Sequence, residues 1–152
     1  MCIRDRPLTD GASATLVCEE SYAISNNLPI LARIKSTAIN GCPPELMGLG
    51  PIGASLKALK RAGLDINDID IIELNEAFAS QSLACIKELN INSDKVNIEG
   101  GAIAIGHPLG ATGARITAKA AYLMSKQNKQ YALATQCIGL GQGIATVLEK
   151  VE

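Results

Sequence analysis

Aromatic residues are almost missing from this chain. Of 152 residues one is Phe, three are Tyr and none is Trp, yet 47% are hydrophobic. The core must therefore be built from Ala, Ile, Leu and Val. A surplus of charge is also missing: 14 basic and 15 acidic residues in mixed order leave a net charge of −1. That balance offers no basic patch and argues against a nucleic-acid partner. No apolar run approaches the roughly 20 residues that span a bilayer, so no membrane span is expected. Histidine occurs once, and the five cysteines, at 2, 18, 42, 85 and 137, contain no CxxC pair. A structural zinc site is hard to assemble from such a set, and no metal is expected. The odd cysteine count fits a reducing, cytoplasmic setting, with Cys18 and Cys85, each among apolar neighbours, expected in the core.

What is abundant is glycine, and it is concentrated. Five of the fourteen glycines lie in Gly100 to Arg115, GGAIAIGHPLGATGAR, together with the lone histidine, His107. A second cluster, CIGLGQG, runs from Cys137 to Gly143. The length suits one domain, which would bury about 68–70% of its unfolded surface. The first six residues, MCIRDR, fit nothing that follows and have no apolar h-region; they read as a non-native leader or scar.

Strand and helix alternate along the rest. Ala14 to Cys18 reads as a short buried strand, Glu19 to Asn26 as a short helix, and Ile30 to Ile39 as a strand with Ile30, Ala32 and Ile34 on one face. Pro43 and Pro44 break the chain into a loop. A helix follows with Ile52, Leu56 and Leu59 at i, i+4 and i+7, basic residues Lys60 and Arg61 in its last turn and Gly63 just past its end. Ile69 to Leu74 is a strand. Asn75 then opens a helix to about Leu89, with Ala79, Leu83 and Ile86 as its apolar face. Val96 to Ile98 is a further short strand. Thr112 to Lys126 is helical, with Ile116, Ala120 and Leu123 inward. Tyr131 to Gln136 and Ile144 to Leu148 are buried strands joined by a glycine loop. The pattern predicts an α/β layer structure with a mixed sheet.

His107 is followed by Pro108, which holds it out of the helical region just ahead of a helix N-terminus. It is either a satisfied structural residue or a catalytic group, and its context leaves both open. Cys137 ends a strand beside backbone N–H groups, as a reactive thiol or as a small packing residue. Gly139, Gly141 and Gly143 form a GxGxG string, but a strand follows it where a dinucleotide fingerprint needs a helix. Asn75 is placed to cap a helix or to orient a water, and Glu76 falls in the same first turn. Three strand ends thus present polar groups where α/β sheets gather their sites.

Five segments, DGASA (10–14), MGLGP (47–51), NEAFA (75–79), GGAIAIGHPLGATGAR (100–115) and CIGLGQGIA (137–145), stand in an order and spacing that resembles the C-terminal half of a thiolase. The match runs from about Pro7 to the end. It looks closest to the degradative 3-ketoacyl-CoA branch, a subunit of the bacterial fatty-acid oxidation complex. The resemblance implies a thiolase-like C-terminal domain over 29–152, one half of a five-layer αβαβα fold, with 7–28 closing the N-terminal half. It implies thiolytic cleavage of a 3-ketoacyl-CoA, with coenzyme A as co-substrate and no bound cofactor. His107 would activate the nucleophile and stabilise the enolate, Cys137 would handle the enolate's proton, Asn75 would hold a water in the same oxyanion site, and the Gly139 N–H would face the thioester. Met47, Glu76, Phe78 and Gly106 would line the substrate pocket.

The departures bear on activity. The family's nucleophilic cysteine lies in its N-terminal half, and none of Cys2, Cys18, Cys42 or Cys85 sits in its motif, so a fragment inactive alone is expected. Its partners would be the missing N-terminal half, a second copy as homodimer, and a multifunctional β-oxidation subunit. Gly53 stands where proline is common, and Thr112 where serine is frequent. Two alternatives remain: a biosynthetic acetoacetyl-CoA thiolase, and a non-catalytic thiolase-like acyl-CoA or lipid binder, which would need neither His107 nor Cys137.

Overall fold

The computed structural model describes Pro7 and residues 9–151; the MCIRDR segment and Cys2 lie outside them. The elements are α1 (Glu20–Ser25), β1 (Arg33–Gly41), a 3-10 turn (Pro44–Leu49), α2 (Gly50–Ala62), β2 (Ile71–Leu74), α3 (Ala79–Glu88), α4 (Ala102–Ile105), α5 (Leu109–Gln127), β3 (Tyr131–Ile138) and β4 (Gln142–Glu149). The four strands form one mixed sheet in the order β1-β4-β3-β2. β4 runs antiparallel to both neighbours, and β2 is parallel to β3 with Leu74 opposite Thr135.

Helices cover both faces. On one side Ala54, Ala58 and Leu59 of α2, with Cys85 of α3, pack on Ile72, Leu133, Ala145 and Val147. On the other, Ile116, Ala120, Leu123 and Met124 of α5 pack on Ile71, Ala132, Ala134 and Leu148. Adjacent residues of β2 and of β3 serve opposite cores, as the two-residue side-chain period of a strand requires. Burial on both faces explains their largely apolar sequence, broken by Glu73 in β2 and by Thr135 and Gln136 in β3. The glycine motifs find a packing role here. A Cβ on Gly143 would run into the backbone of Gly50, and one on Gly50 into that of Gln142. MGLGP and CIGLGQG therefore meet where the start of α2 crosses β4. Gly139 to Gly141 form a three-residue turn that returns directly into β4, so the GxGxG string closes a hairpin and opens no helix.

Several expected elements differ. Residues 14–18 form no strand, and Leu16 and Cys18 are exposed; no described strand pairs with this run, so its apolar side chains have no sheet to join. Cys85, by contrast, is fully buried. β1 starts later than expected, and a bulge between Ile34 and Ser36 breaks the period, leaving Ile34 exposed and Ala38 inward. Leu56 of α2 and Leu83 of α3 face outward, while small residues, Ala54 and Ala58 in α2 and Ser82 and Cys85 in α3, face inward. α2 lies close against β1 and β4, and α3 against the Pro44–Leu49 turn and α2, so both need small contact residues. Val96 makes a single bridge to Ile72 and no strand, because Asn97 turns left-handed at φ +47°. α5 begins three residues before Thr112, and Gly63 ends α2 at φ +70° as expected. Among the described residues no helix is long and apolar enough to cross a membrane.

Candidate active site

The C-terminal end of β2 delivers Asn75, whose N–H donates to Thr135 O at 2.9 Å and extends the parallel ladder by one residue. Asn75 does not cap α3, as its sequence position suggests. Residues 75–78 are non-helical and α3 begins at Ala79, with Phe78 in the N-cap position. Asn75 is instead fully buried, and its Nδ2 lies 3.3 Å from Nε2 of His107.

His107 is held from the other side by α5. The chain leaves the single turn of α4 through Gly106, which stands at φ +95° where a Cβ would collide with Thr9. Pro108, itself extended, occupies the N-cap position of α5 and disfavours a helical conformation at His107. One turn into α5, Thr112 Oγ1 lies 2.7 Å from His107 Nδ1 and 3.0 Å from Pro108 O. The hydroxyl has one proton. Donated to Pro108 O, it leaves an oxygen lone pair to accept from Nδ1–H. Nδ1 then carries the ring proton, and the Nε2 lone pair faces the Asn75 amide. Asn75 Oδ1 is buried and has no hydrogen-bond partner among the described residues, an acceptor left over at the site. Residues 9–13 lie across the same turn, with Ser13 Oγ donating to Ala111 O at 2.6 Å and Gly11 against Pro108.

Cys137 is buried in β3 opposite Gly143, two residues before the turn that begins at Gly139. The alternation of β3 puts it on the face of Leu133 and Thr135, towards α2 and α3. There Cys85 donates to Gly48 O at 3.4 Å and receives Gln81 Nε2 at 3.5 Å. Burial pushes the Cys85 thiol up, the Gln81 contact opposes this, and the neighbouring Cys137 adds to the rise. Met47 is half-buried in the 3-10 turn whose Gly48 rests on Gln81, and Phe78 is exposed at the start of α3.

Glu76 lies three residues ahead of α3, outside its first turn. Its Oε1 accepts from Asn97 Nδ2 and its Oε2 from the Ile103 N–H, each at 2.9 Å. Sequence reasoning missed Thr112 as the partner of His107, although a hydroxyl five residues on and one turn into a helix was a usable signal. It also missed Glu73. This carboxylate is buried beneath α5, 3.7 Å from Lys119 Nζ, too far to hydrogen-bond. Burial pushes it up to about 7, against the pull of Lys119 and Arg115. Only its place among Ile71, Ile72 and Leu74 marked it, and that segment reads equally as core.

The profile of the family described as "Thiolase, C-terminal domain" matches residues 28–150. A 3-ketoacyl-CoA thiolase of Shewanella sp. (strain ANA-3) is 58% identical over 147 residues, 95% of this chain and 38% of that protein. One of Photorhabdus laumondii is 57% identical over 148 residues, again 95% of this chain and 38% of the relative. The structure of human mitochondrial 3-ketoacyl-CoA thiolase superposes with a TM-score of 0.84 at 45% identity, over 87% of this chain and 33% of that one, and a complex of that enzyme with CoA matches equally. The chain thus spans about two fifths of the length of these curated relatives.

Proposed function

The chain belongs to the thiolase family through that family's C-terminal domain, and from that premise we propose that it supplies the enolate-handling half of a 3-ketoacyl-CoA thiolase active site. The observation that carries the reading is the buried line Thr112–His107–Asn75. With Nδ1–H held by Thr112, Nε2 is the basic nitrogen and takes the proton of a thiol nucleophile. That nucleophile is a cysteine of the N-terminal thiolase half. Its thiolate adds to the 3-keto carbon, the bond between C2 and C3 breaks, and the acyl group stays on sulfur while the acetyl-CoA enolate departs. The protonated Nε2–H then donates to the enolate oxygen, and Asn75, with its spare Oδ1, holds a water there. Preorganised donors at a developing oxyanion are usually the largest catalytic contribution. Cys137 gives its proton to C2 of the enolate. As thiolate it then takes the proton from coenzyme A, which attacks the acyl-cysteine and releases the shortened acyl-CoA. The Gly139 N–H serves the thioester oxygen, and Met47, Phe78 and Gly106 border the substrate.

The setting we propose is cytoplasmic fatty-acid β-oxidation, as a homodimer attached to a multifunctional β-oxidation subunit. The 57–58% identity to bacterial 3-ketoacyl-CoA thiolases supports this direction over biosynthetic condensation. The test joins the chain to a thiolase N-terminal half and follows thiolysis of a 3-ketoacyl-CoA. His107→Ala is expected to lower kcat by about 10²–10⁴, the usual range for a lost acid–base group. Turnover unchanged in that variant would sink the assignment.

A further inference from the structure

Two loops must keep a fixed relation for the site to exist, because Asn75 follows β2 and His107 follows α4. Their direct contact is a single 3.3 Å approach. The stronger tie lies one residue further on. Glu76 reaches across with both oxygens, to Asn97 Nδ2 and to the Ile103 N–H. Ile103 is in the first turn of α4, four residues before His107, so Glu76 satisfies an N–H that a helix start leaves unpaired. Asn97 in turn is stitched to β2: its Oδ1 accepts from Leu74 N at 3.0 Å, its Nδ2 donates to Leu74 O at 2.8 Å, and its own N–H donates to Ile72 O at 2.8 Å. The side-chain amide of Asn97 thus stands in for a strand neighbour beside Leu74. Gly101 completes the arrangement, since any Cβ there would fall on the Glu76 carboxylate.

We infer that Glu76 is a positioning residue: it clamps the segment from Asn97 to Ile103 so that the His107 ring meets Asn75 and Thr112 at once. This rests on the Thr112–His107–Asn75 reading above. The chemistry requires a carboxylate. Both partners are N–H donors, so the amide of Gln can accept from one but must set its own N–H₂ against the other. Asp retains two acceptors but is one methylene short.

His107 is the only histidine, so its ring nitrogens give the one pair of imidazole ¹⁵N resonances in the chain. In the wild-type chain two well-separated resonances are expected, Nδ1 as protonated nitrogen and Nε2 as bare nitrogen. In Glu76→Gln, with amide-proton dispersion retained, the two should move toward their average as the ring exchanges tautomers. Should Glu76→Gln fail to fold, Gly101→Ala decides the matter, because its methyl displaces the carboxylate without removing it, and the same collapse is expected. Ser36→Ala removes a distant side-chain bond to Ala58 O and should leave both resonances in place. A folded Glu76→Gln or Gly101→Ala chain with wild-type ring resonances overturns the clamp and leaves the His107 geometry standing. Coincident resonances already in the wild-type chain overturn that geometry, and the clamp with it.

Discussion

At single residues the chain is decided by which polar atoms find partners after burial. Thr112 shows the favourable case. The side chain is fully buried, and its one hydroxyl serves both Pro108 O and His107 Nδ1. Thr112→Val keeps the shape and removes the hydroxyl that serves His107 Nδ1, which should cost about 1–3 kcal/mol in urea unfolding; Thr112→Ser should cost far less. A Val variant as stable as wild type would show that Nδ1 does not rely on this hydroxyl. Glu73 is the unfavourable case. Its ordinary value is 4.5, and burial raises it to about 7. The folded chain therefore binds this proton more tightly than the unfolded chain, and stability falls as pH rises from about 4.5 to 7. Ionisation should cost about 3 kcal/mol, fully lost above pH 7. Glu73→Gln should flatten that part of the pH profile, measured as urea midpoints at pH 5 and pH 8. A variant with the wild-type pH slope would remove Glu73 as its source.

At the scale of elements, periodicity found the right segments and sometimes the wrong faces. α5 was readable because Ile116 and Leu123 are large as well as inward, with Ala120 between them on the same face. α2 and α3 were not, because their inward positions are mostly small: Ala54 and Ala58 in one, Ser82 and Cys85 in the other. A search for large apolar residues at helical spacing selects Leu56 and Leu83, which are exposed. Helix ends were more legible, since they depend on local backbone chemistry. Gly63 ends α2 at φ +70°, and Gly63→Ala should cost about 1–2 kcal/mol by forcing a Cβ into the left-handed region. A shift in urea midpoint measures it, and no shift would mean that α2 can end elsewhere.

At the scale of the whole molecule, large apolar residues stand at the surface next to the site. Leu109 is 77% exposed and Leu140 89%, and each stands beside a proposed catalytic residue in the chain, two from His107 and three from Cys137. Leu16, Leu56 and Leu83 are exposed as well. Monomeric proteins rarely leave such side chains uncovered in quantity. The 152-residue chain on its own should associate at micromolar concentration, as read by sedimentation velocity, and Leu109→Asp with Leu140→Asp should shift it towards monomer. A monodisperse wild-type monomer would contradict this expectation.

What the sequence by itself determined was local or combinatorial. The strand–helix alternation, the hairpin turn, the helix stop at Gly63 and the non-helical backbone at His107 follow from residue types within a few positions. The five motifs in order were enough to identify the family, because their combination is far rarer than any one of them. Only the tertiary structure decided which faces are inward, that residues 14–18 pair with no described strand, and that the MGLGP and CIGLGQG glycines meet at one helix–strand crossing. It also decided the site. Asn75 could have capped its own helix and Glu76 could have served its own first turn. Packing β2 against the segment before His107 turned both away, one to the imidazole and one to the backbone of α4. The reason is physical: a capping bond is made within a few residues of chain, whereas Asn75 and His107 meet across 32 residues only once the sheet and α5 have closed around them.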